Sequence, residues 1–226
     1  KRLANIMLFL TVFCTLMLLI NSYIITQSFE NLIMASLIGL IGWFLGYFYT
    51  AKPIRLSARR GLGELAIFLT FGPLLTLGAY YAISSSTVEL FSQGFYNAIY
   101  IGIPFGFLNT NILFINQFPD TTSDAKTGKN HLVVTFGKKN SRWGYLIILS
   151  AAFFSSYFML EIFQNNITDF NMIVFLICNL LLYTYGLLAF YNLFKNYNNR
   201  NLIFSNLKTI YLQMFFGLFY TIIFFI

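Results

Sequence analysis

Polar and apolar positions along the chain do not alternate; they separate into long apolar runs joined by short polar connections. Seven of these runs reach the length of about 20 residues that a helix needs to cross a hydrocarbon core of about 30 Å, and none carries a Lys or Arg well inside it. They predict spans near 4–26, 31–50, 64–83, 95–116, 144–163, 170–194 and 208–226. The period-two signal of a membrane β-barrel and the sustained heptads of a coiled coil are both missing. The expected fold class is therefore all-α, a multi-pass transmembrane helical bundle forming a single membrane-embedded domain over residues 1–226. Gly42 with Gly46, and Gly102 with Gly106, stand four apart and predict close backbone approach between helices. Pro73 and Pro104 fall mid-span and predict kinks.

Composition narrows the class further. Of the 226 residues only 9% are charged, against about a quarter in soluble domains, which excludes an ordinary soluble protein. The two cysteines, Cys14 and Cys178, lie inside apolar runs and suggest neither a disulfide nor a metal site. A net charge of +7 could suit a nucleic-acid partner in a soluble chain. Here, however, all 14 basic residues fall on one side of the predicted bundle: Lys1 and Arg2; Lys52, Arg55, Arg59 and Arg60; Lys126, Lys129, Lys138, Lys139 and Arg142; Lys195, Arg200 and Lys208. Glu30, Glu89, Glu161 and Asp169 fall on the other side, with no basic residue. The positive-inside rule then predicts an integral cell-membrane protein with a cytoplasmic N-terminus and an outer C-terminus, surrounded by lipid bilayer and without a nucleic-acid partner.

Three acids remain on the basic side: Glu64, Asp120 and Asp124. Asp120 and Asp124 are four apart, so on a helix they share one face about 6 Å apart along the axis, with Asn116 one turn earlier. Pro119 predicts a kink or the first turn of a new segment rather than an unbroken rod. Lys126, Gly128 and Lys129 follow at once. Paired carboxylates sharing Mg²⁺ with phosphate oxygens, with Lys beside them, can hold a diphosphate. The same spacing also fits a solvated surface of i to i+4 ion pairs.

The string from Asn116 to Leu132 resembles the second Asp-rich motif, N-x-x-x-D-x-x-x-D-x-x-x-G-K, of the UbiA superfamily of intramembrane prenyltransferases. Tyr49-Thr50-Ala51-Lys52-Pro53, Gly61-Leu62-Gly63-Glu64-Leu65 and Phe71-Gly72-Pro73 resemble the segment after the fourth helix in that family's menaquinone branch, the 1,4-dihydroxy-2-naphthoate polyprenyltransferases. The resemblance implies a lipid-open bundle of nine helices in which two Asp-rich motifs bind Mg²⁺ and a polyprenyl diphosphate. The allylic bond ionises there, and an aromatic acceptor is prenylated. Carried onto this chain, it makes Asp120 and Asp124 the metal ligands with Asn116 beside them. It also places Lys52 and Lys129 at the diphosphate, with Tyr49, Arg55 and Arg60 around it, and gives Glu64 the task of orienting the acceptor or the basic residues. Alternatives within the family change the acceptor to 4-hydroxybenzoate, homogentisate, a lipid glycerol or haem. A non-enzymatic alternative is an ion or solute transporter, which would require ionisable groups at mid-membrane.

The family's first Asp-rich motif has no counterpart here. Asn165 and Asp169 have the N-x-x-x-D spacing but lie on the opposite side without a second Asp. Lys1 stands where an initiator Met would be, so the expectation is seven spans of nine, with the two N-terminal helices and the first motif absent and the chain inactive by itself. His131 takes a position where relatives often carry Thr; a solvated loop histidine is the favoured reading and a phosphate ligand the other. Asn109 and Asn111, at membrane depth, are candidates either for substrate binding or for interhelical hydrogen bonds. Asn166-Ile167-Thr168 fits a glycosylation sequon.

Overall fold

The computed structural model describes residues 2–163, 168–199 and 202–225. Lys1, Arg200, and the Asn165, Asn166 and Ile167 of the sequon and of the N-x-x-x-D spacing lie outside the described residues. Among the described residues there is no strand, and seven helical segments are long and apolar enough to cross a membrane, as the hydropathy predicts. Chain reversals fix their alternation. Helix α1, Arg2–Thr26, stops at Gln27, whose φ is 49°, and Ser28 then caps α2, Phe29–Thr50, by accepting from the Asn31 amide at 3.2 Å. A loop containing a 3₁₀ turn, Leu56–Ala58, leads to the third span.

That span is two half-helices, α3, Leu62–Phe71, and α4, Pro73–Ile83, joined at a non-helical Gly72. Pro73 opens α4 at its first position, where the missing N–H would lack a helical partner anyway. The predicted kink is thus a full break. It is seated on α5, Gln93–Lys126, because Gly72, Gly102 and Gly106 meet backbone to backbone; a Cβ on Gly72 would lie 2.7 Å from the Gly102 carbonyl oxygen and from the Gly106 Cα. Gly102 and Gly106 therefore behave as their spacing predicts. Gly42 and Gly46 do not: neither has a heavy atom within 4 Å of where a Cβ would sit, so they border open space rather than a neighbouring helix.

The 34 residues of α5 rise about 51 Å, well beyond the hydrocarbon core. The helix runs through both Pro104 and Pro119, so Pro119 does not open a new segment. Helix α6, Leu132–Phe163, starts about twelve residues before its apolar span and is interrupted at Gly137, whose φ of 74° suits glycine alone. Helices α7, Asp169–Asn196, and α8, Ile203–Phe225, complete the bundle. The main core lies between α5, α6, α7 and α8, around Phe118, Tyr145, Leu149, Phe175, Leu193 and Phe216. In lipid such packing is held by close contact and interhelical hydrogen bonds, such as Tyr145 with Thr209 at 2.7 Å. Helices α1 and α2 are the least covered, and an apolar groove runs along their contact with α3 and α4.

Candidate functional site

The spacing of Asp124, Gly128 and Lys129 has a local mechanical consequence. Helix α5 ends in a Schellman turn: Gly128, with φ of 75°, donates to the Ala125 carbonyl at 3.2 Å, and the Lys129 amide donates to the Asp124 carbonyl at 3.0 Å. This turn folds Lys129 back over the last coil of the helix that carries Asp124. The Lys129 ammonium then donates to Asp124 Oδ1 at 2.8 Å. The next amide, of Asn130, donates to the Ala58 carbonyl at 2.9 Å and so docks the α5–α6 connection onto the α2–α3 loop.

Docking buries His131, which is 2% exposed, and overturns its reading as a solvated loop histidine. Its Nδ1 accepts from the Val134 amide at 3.4 Å and caps α6, while Nε2 lies 3.2 Å from Asp124 Oδ2. An Nδ1 that accepts places the proton on Nε2, which donates to the carboxylate. Burial pushes the imidazole below the usual histidine range, against the pull of Asp124. Asp124 is thus held on both oxygens, one by the Lys129 ammonium and one by the His131 ring.

Glu64 sits in the first turn of α3 and is 5% exposed. Its Oε1 accepts from Gln117 Nε2 at 3.0 Å and from the Leu132 amide at 3.1 Å, so it joins α3 to α5 and satisfies an N–H in the first turn of α6. Oε2 is buried without a partner. The carboxylate faces two helix N-termini, whose dipoles favour negative charge.

Other expected residues gather at the same end with different partners. Asp120 is exposed one turn from Asp124, and Lys52 is exposed on the loop; among the described residues neither makes an ion pair, both ion pairs being on Asp124. Arg55 is half-buried with φ of 45° at the start of the 3₁₀ turn. Arg60 lies 5.6 Å from the Phe136 ring centroid, while Arg59, not among the expected residues, closes its own loop by donating to the Ile54 carbonyl at 2.6 Å. Asn116 accepts from Asn206 at 2.6 Å, bringing α8 to the mouth of the site. Asn109 donates to Phe105 of its own helix at 3.0 Å, and Asn111 to the Tyr145 carbonyl at 3.2 Å, an interhelical bond. Gln117 and Asn206 escaped sequence reasoning. Gln117 was visible as a polar residue beside Asn116 at a span end, and Asn206 as part of a polar stripe with Ser205 and Thr209.

Below this charged end lies the apolar groove. One cavity of about 450 Å³ between α1, α2 and α4 includes Gly39, Gly42 and Gly78; a second of about 320 Å³ includes Gly46, Tyr49 and Ala66. They share Gly42 and Thr70, so together they form one groove along α2 that is open at its side and reaches Tyr49 and to within two residues of Glu64. Volumes of this order are typical of ligand sites. The oxygen-only donors Asp120 and Asp124 fit Mg²⁺, which binds through one or two carboxylates and completes its shell with water and phosphate oxygens. Among the described residues no three His, Cys, Asp or Glu side chains form a closed protein cage, and such a cation needs none.

The bundle thus carries carboxylates and a lysine at one end and an apolar groove along α2. The UbiA prenyltransferase family matches residues 2–217, and the chain belongs to that family. Over 96 residues it is 38% identical to 2-carboxy-1,4-naphthoquinone phytyltransferase of Synechocystis sp., covering 42% of this chain and 29% of the relative. It is 29% identical over 135 residues to 1,4-dihydroxy-2-naphthoate octaprenyltransferase of Haemophilus influenzae, covering 58% of this chain and 41% of the relative. It is also 33% identical over 111 residues to UbiA prenyltransferase domain-containing protein 1 of Dictyostelium discoideum, covering 48% and 30%. The chain thus spans less than half the length of the curated relatives it matches. No solved structure matches it.

Proposed function

We propose that the protein transfers a polyprenyl chain from polyprenyl diphosphate to an aromatic acceptor in quinone biosynthesis, of the menaquinone type, in a Mg²⁺-dependent reaction on the cytoplasmic face of the membrane. The observation that carries this reading is Asp124 held between Lys129 and His131, next to the Leu132 amide that Glu64 binds, while an apolar groove lined by Tyr49 and Ala66 comes within two residues of Glu64. Two of the relatives are named for naphthoate or naphthoquinone prenylation, which favours a bicyclic acceptor.

The residues divide the work by their chemistry. Asp120 and Asp124 would hold Mg²⁺, which supplies charge stabilisation to the departing diphosphate. Lys129 and Lys52 bring ammonium groups to the phosphate oxygens, and Arg55 and Arg60 add positive charge to the surrounding loop. Tyr49, Gly46 and Ala66 line the groove where an isoprenoid chain would lie away from water. Glu64 holds α3, α5 and α6 in register beneath these groups. The basic residues at this end support the cytoplasmic assignment.

Membranes from cells expressing the complete gene, given labelled octaprenyl diphosphate, Mg²⁺ and 1,4-dihydroxy-2-naphthoate, should yield a labelled prenylated naphthoate. EDTA should stop the reaction and Mg²⁺ restore it. A panel with 4-hydroxybenzoate and homogentisate fixes the acceptor. Product formation undiminished in EDTA, or none with any acceptor, overturns the reading.

A further inference from the structure

The two oxygens of Asp124 are held very differently. His131 is pinned at both ends, by the Val134 amide and by Asp124 Oδ2, and its side chain is only 3% exposed. Lys129 reaches Oδ1 from a side chain that is 39% exposed, while its backbone is fixed by the Schellman turn. Displacing His131 would uncap α6 and empty a buried position. Displacing the Lys129 ammonium releases a flexible, solvated arm whose root cannot move away.

We propose that Asp124 has one fixed and one exchangeable oxygen: His131 is the positioning residue on Oδ2, and Lys129 is a place-holding cation on Oδ1 that a divalent cation displaces, freeing the ammonium for a diphosphate. The inference rests on the assignment of Asp124 as a metal ligand. Its physical basis is charge balance. A half-buried carboxylate with no counter-charge is unfavourable, and Lys129 offsets that until a divalent cation arrives. The exchange costs little, because the ammonium leaves one anion in the very place where another, the diphosphate, would dock. His131 does not suit this placeholder role, because leaving Oδ2 would also break its bond to the Val134 amide and empty a buried position. The two partners therefore have separate tasks, which can be told apart by the sign of their effects.

Binding of Mn²⁺ alone to the purified protein in detergent, followed by electron paramagnetic resonance of the free ion, tests the division. Lys129→Met should tighten Mn²⁺ binding about tenfold, the scale on which a neighbouring charge alters the occupancy of a carboxylate. It should also weaken the binding of inorganic diphosphate measured with Mn²⁺ present. Lys126→Met removes the same charge nearby and should change Mn²⁺ affinity much less. His131→Ala should weaken Mn²⁺ about 10- to 100-fold, as loss of a group that orients a ligand does, and His131→Gln, which keeps an N–H donor, should recover most of it. Equal effects of Lys129→Met and Lys126→Met, or weaker Mn²⁺ binding in Lys129→Met, would overturn the exchange. Asp124→Ala separates the two levels: Mn²⁺ binding unchanged there sinks the metal assignment itself, whereas its loss together with equal lysine effects sinks only the placeholder.

Discussion

The two ends of the bundle solve the same problem with different residues. At one end Asn31, fully buried, clasps the α4–α5 loop: its Nδ2 donates to the Ser86 carbonyl at 2.9 Å and its Oδ1 accepts from the Val88 amide at 2.8 Å, with Thr87 bonded to Ser28 at 3.1 Å beside it. At the other end Glu64 clasps α3, α5 and α6, also buried and also accepting two bonds, yet one of its oxygens has no partner. A neutral amide closes a loop junction completely. A carboxylate in the same structural task leaves a buried acceptor unused and carries charge that closure does not require. The contrast is one of charge: the clasp at the Asp-bearing end is a carboxylate, where a neutral amide does the same structural task at the opposite end.

The largest expected effect tests whether that surplus charge is chemical. Asp124→Ala should lower prenyl transfer in membranes by more than about 100-fold, because even groups that only orient a metal ligand are worth 10- to 100-fold. A variant with transfer near wild type would reduce the Asp124–Lys129–His131 cluster to a helix-ending device. Next, Glu64→Ala should cost about 2–4 kcal/mol of stability, since it strands Gln117 Nε2 and the Leu132 amide in a buried setting. Glu64→Gln keeps an acceptor for both donors. It should preserve the melting temperature in detergent while reducing prenyl transfer about tenfold, a change of roughly 1.4 kcal/mol in barrier. If both properties survive in Glu64→Gln, the two ends are equivalent clasps after all.

Asn31→Ala is the matching experiment at the other end. Two buried partners lose their bonds, and the loop can recruit water in part, so about 2 kcal/mol of stability should be lost. The turnover of the molecules that remain folded should not change. Activity normalised to folded protein, measured alongside the melting temperature, separates these outcomes.

How much of this was legible in the sequence follows from the range of each interaction. The spans were legible because length and apolarity act residue by residue, and the Asp120/Asp124 face because helical spacing is local. The extramembrane reach of α5 and α6 was not, because hydropathy is silent once a helix leaves lipid, and Pro119 removes one bond without ending the helix. His131 was misread because its burial depends on the docking of Asn130 onto Ala58, more than seventy residues earlier in the chain. The partnership of Glu64 with Gln117, 53 residues apart, is equally non-local. Spacing gave the opportunity for contact, and only the fold supplied the partner.

The glycine pairs make that last point measurable. Gly102 and Gly106 meet Gly72 and the Phe68 carbonyl so closely that a Cβ on Gly102 would fall 2.6 Å from the Gly72 carbonyl carbon, and one on Gly106 would fall 2.6 Å from the Phe68 oxygen. Backbone cannot swing aside as a side chain can, so Gly102→Ala should cost about 1–3 kcal/mol by forcing α3 and α4 off α5. Gly42 has the same i to i+4 spacing and nothing within 4 Å. Gly42→Ala should therefore leave the melting temperature unchanged or raise it, gaining up to about 1 kcal/mol of helix propensity. Because Gly42 borders both cavities of the groove, the added methyl should be felt in the KM for the polyprenyl donor instead. A fall in melting temperature without a change in KM would mean that Gly42 packs against another helix and that the groove is closed.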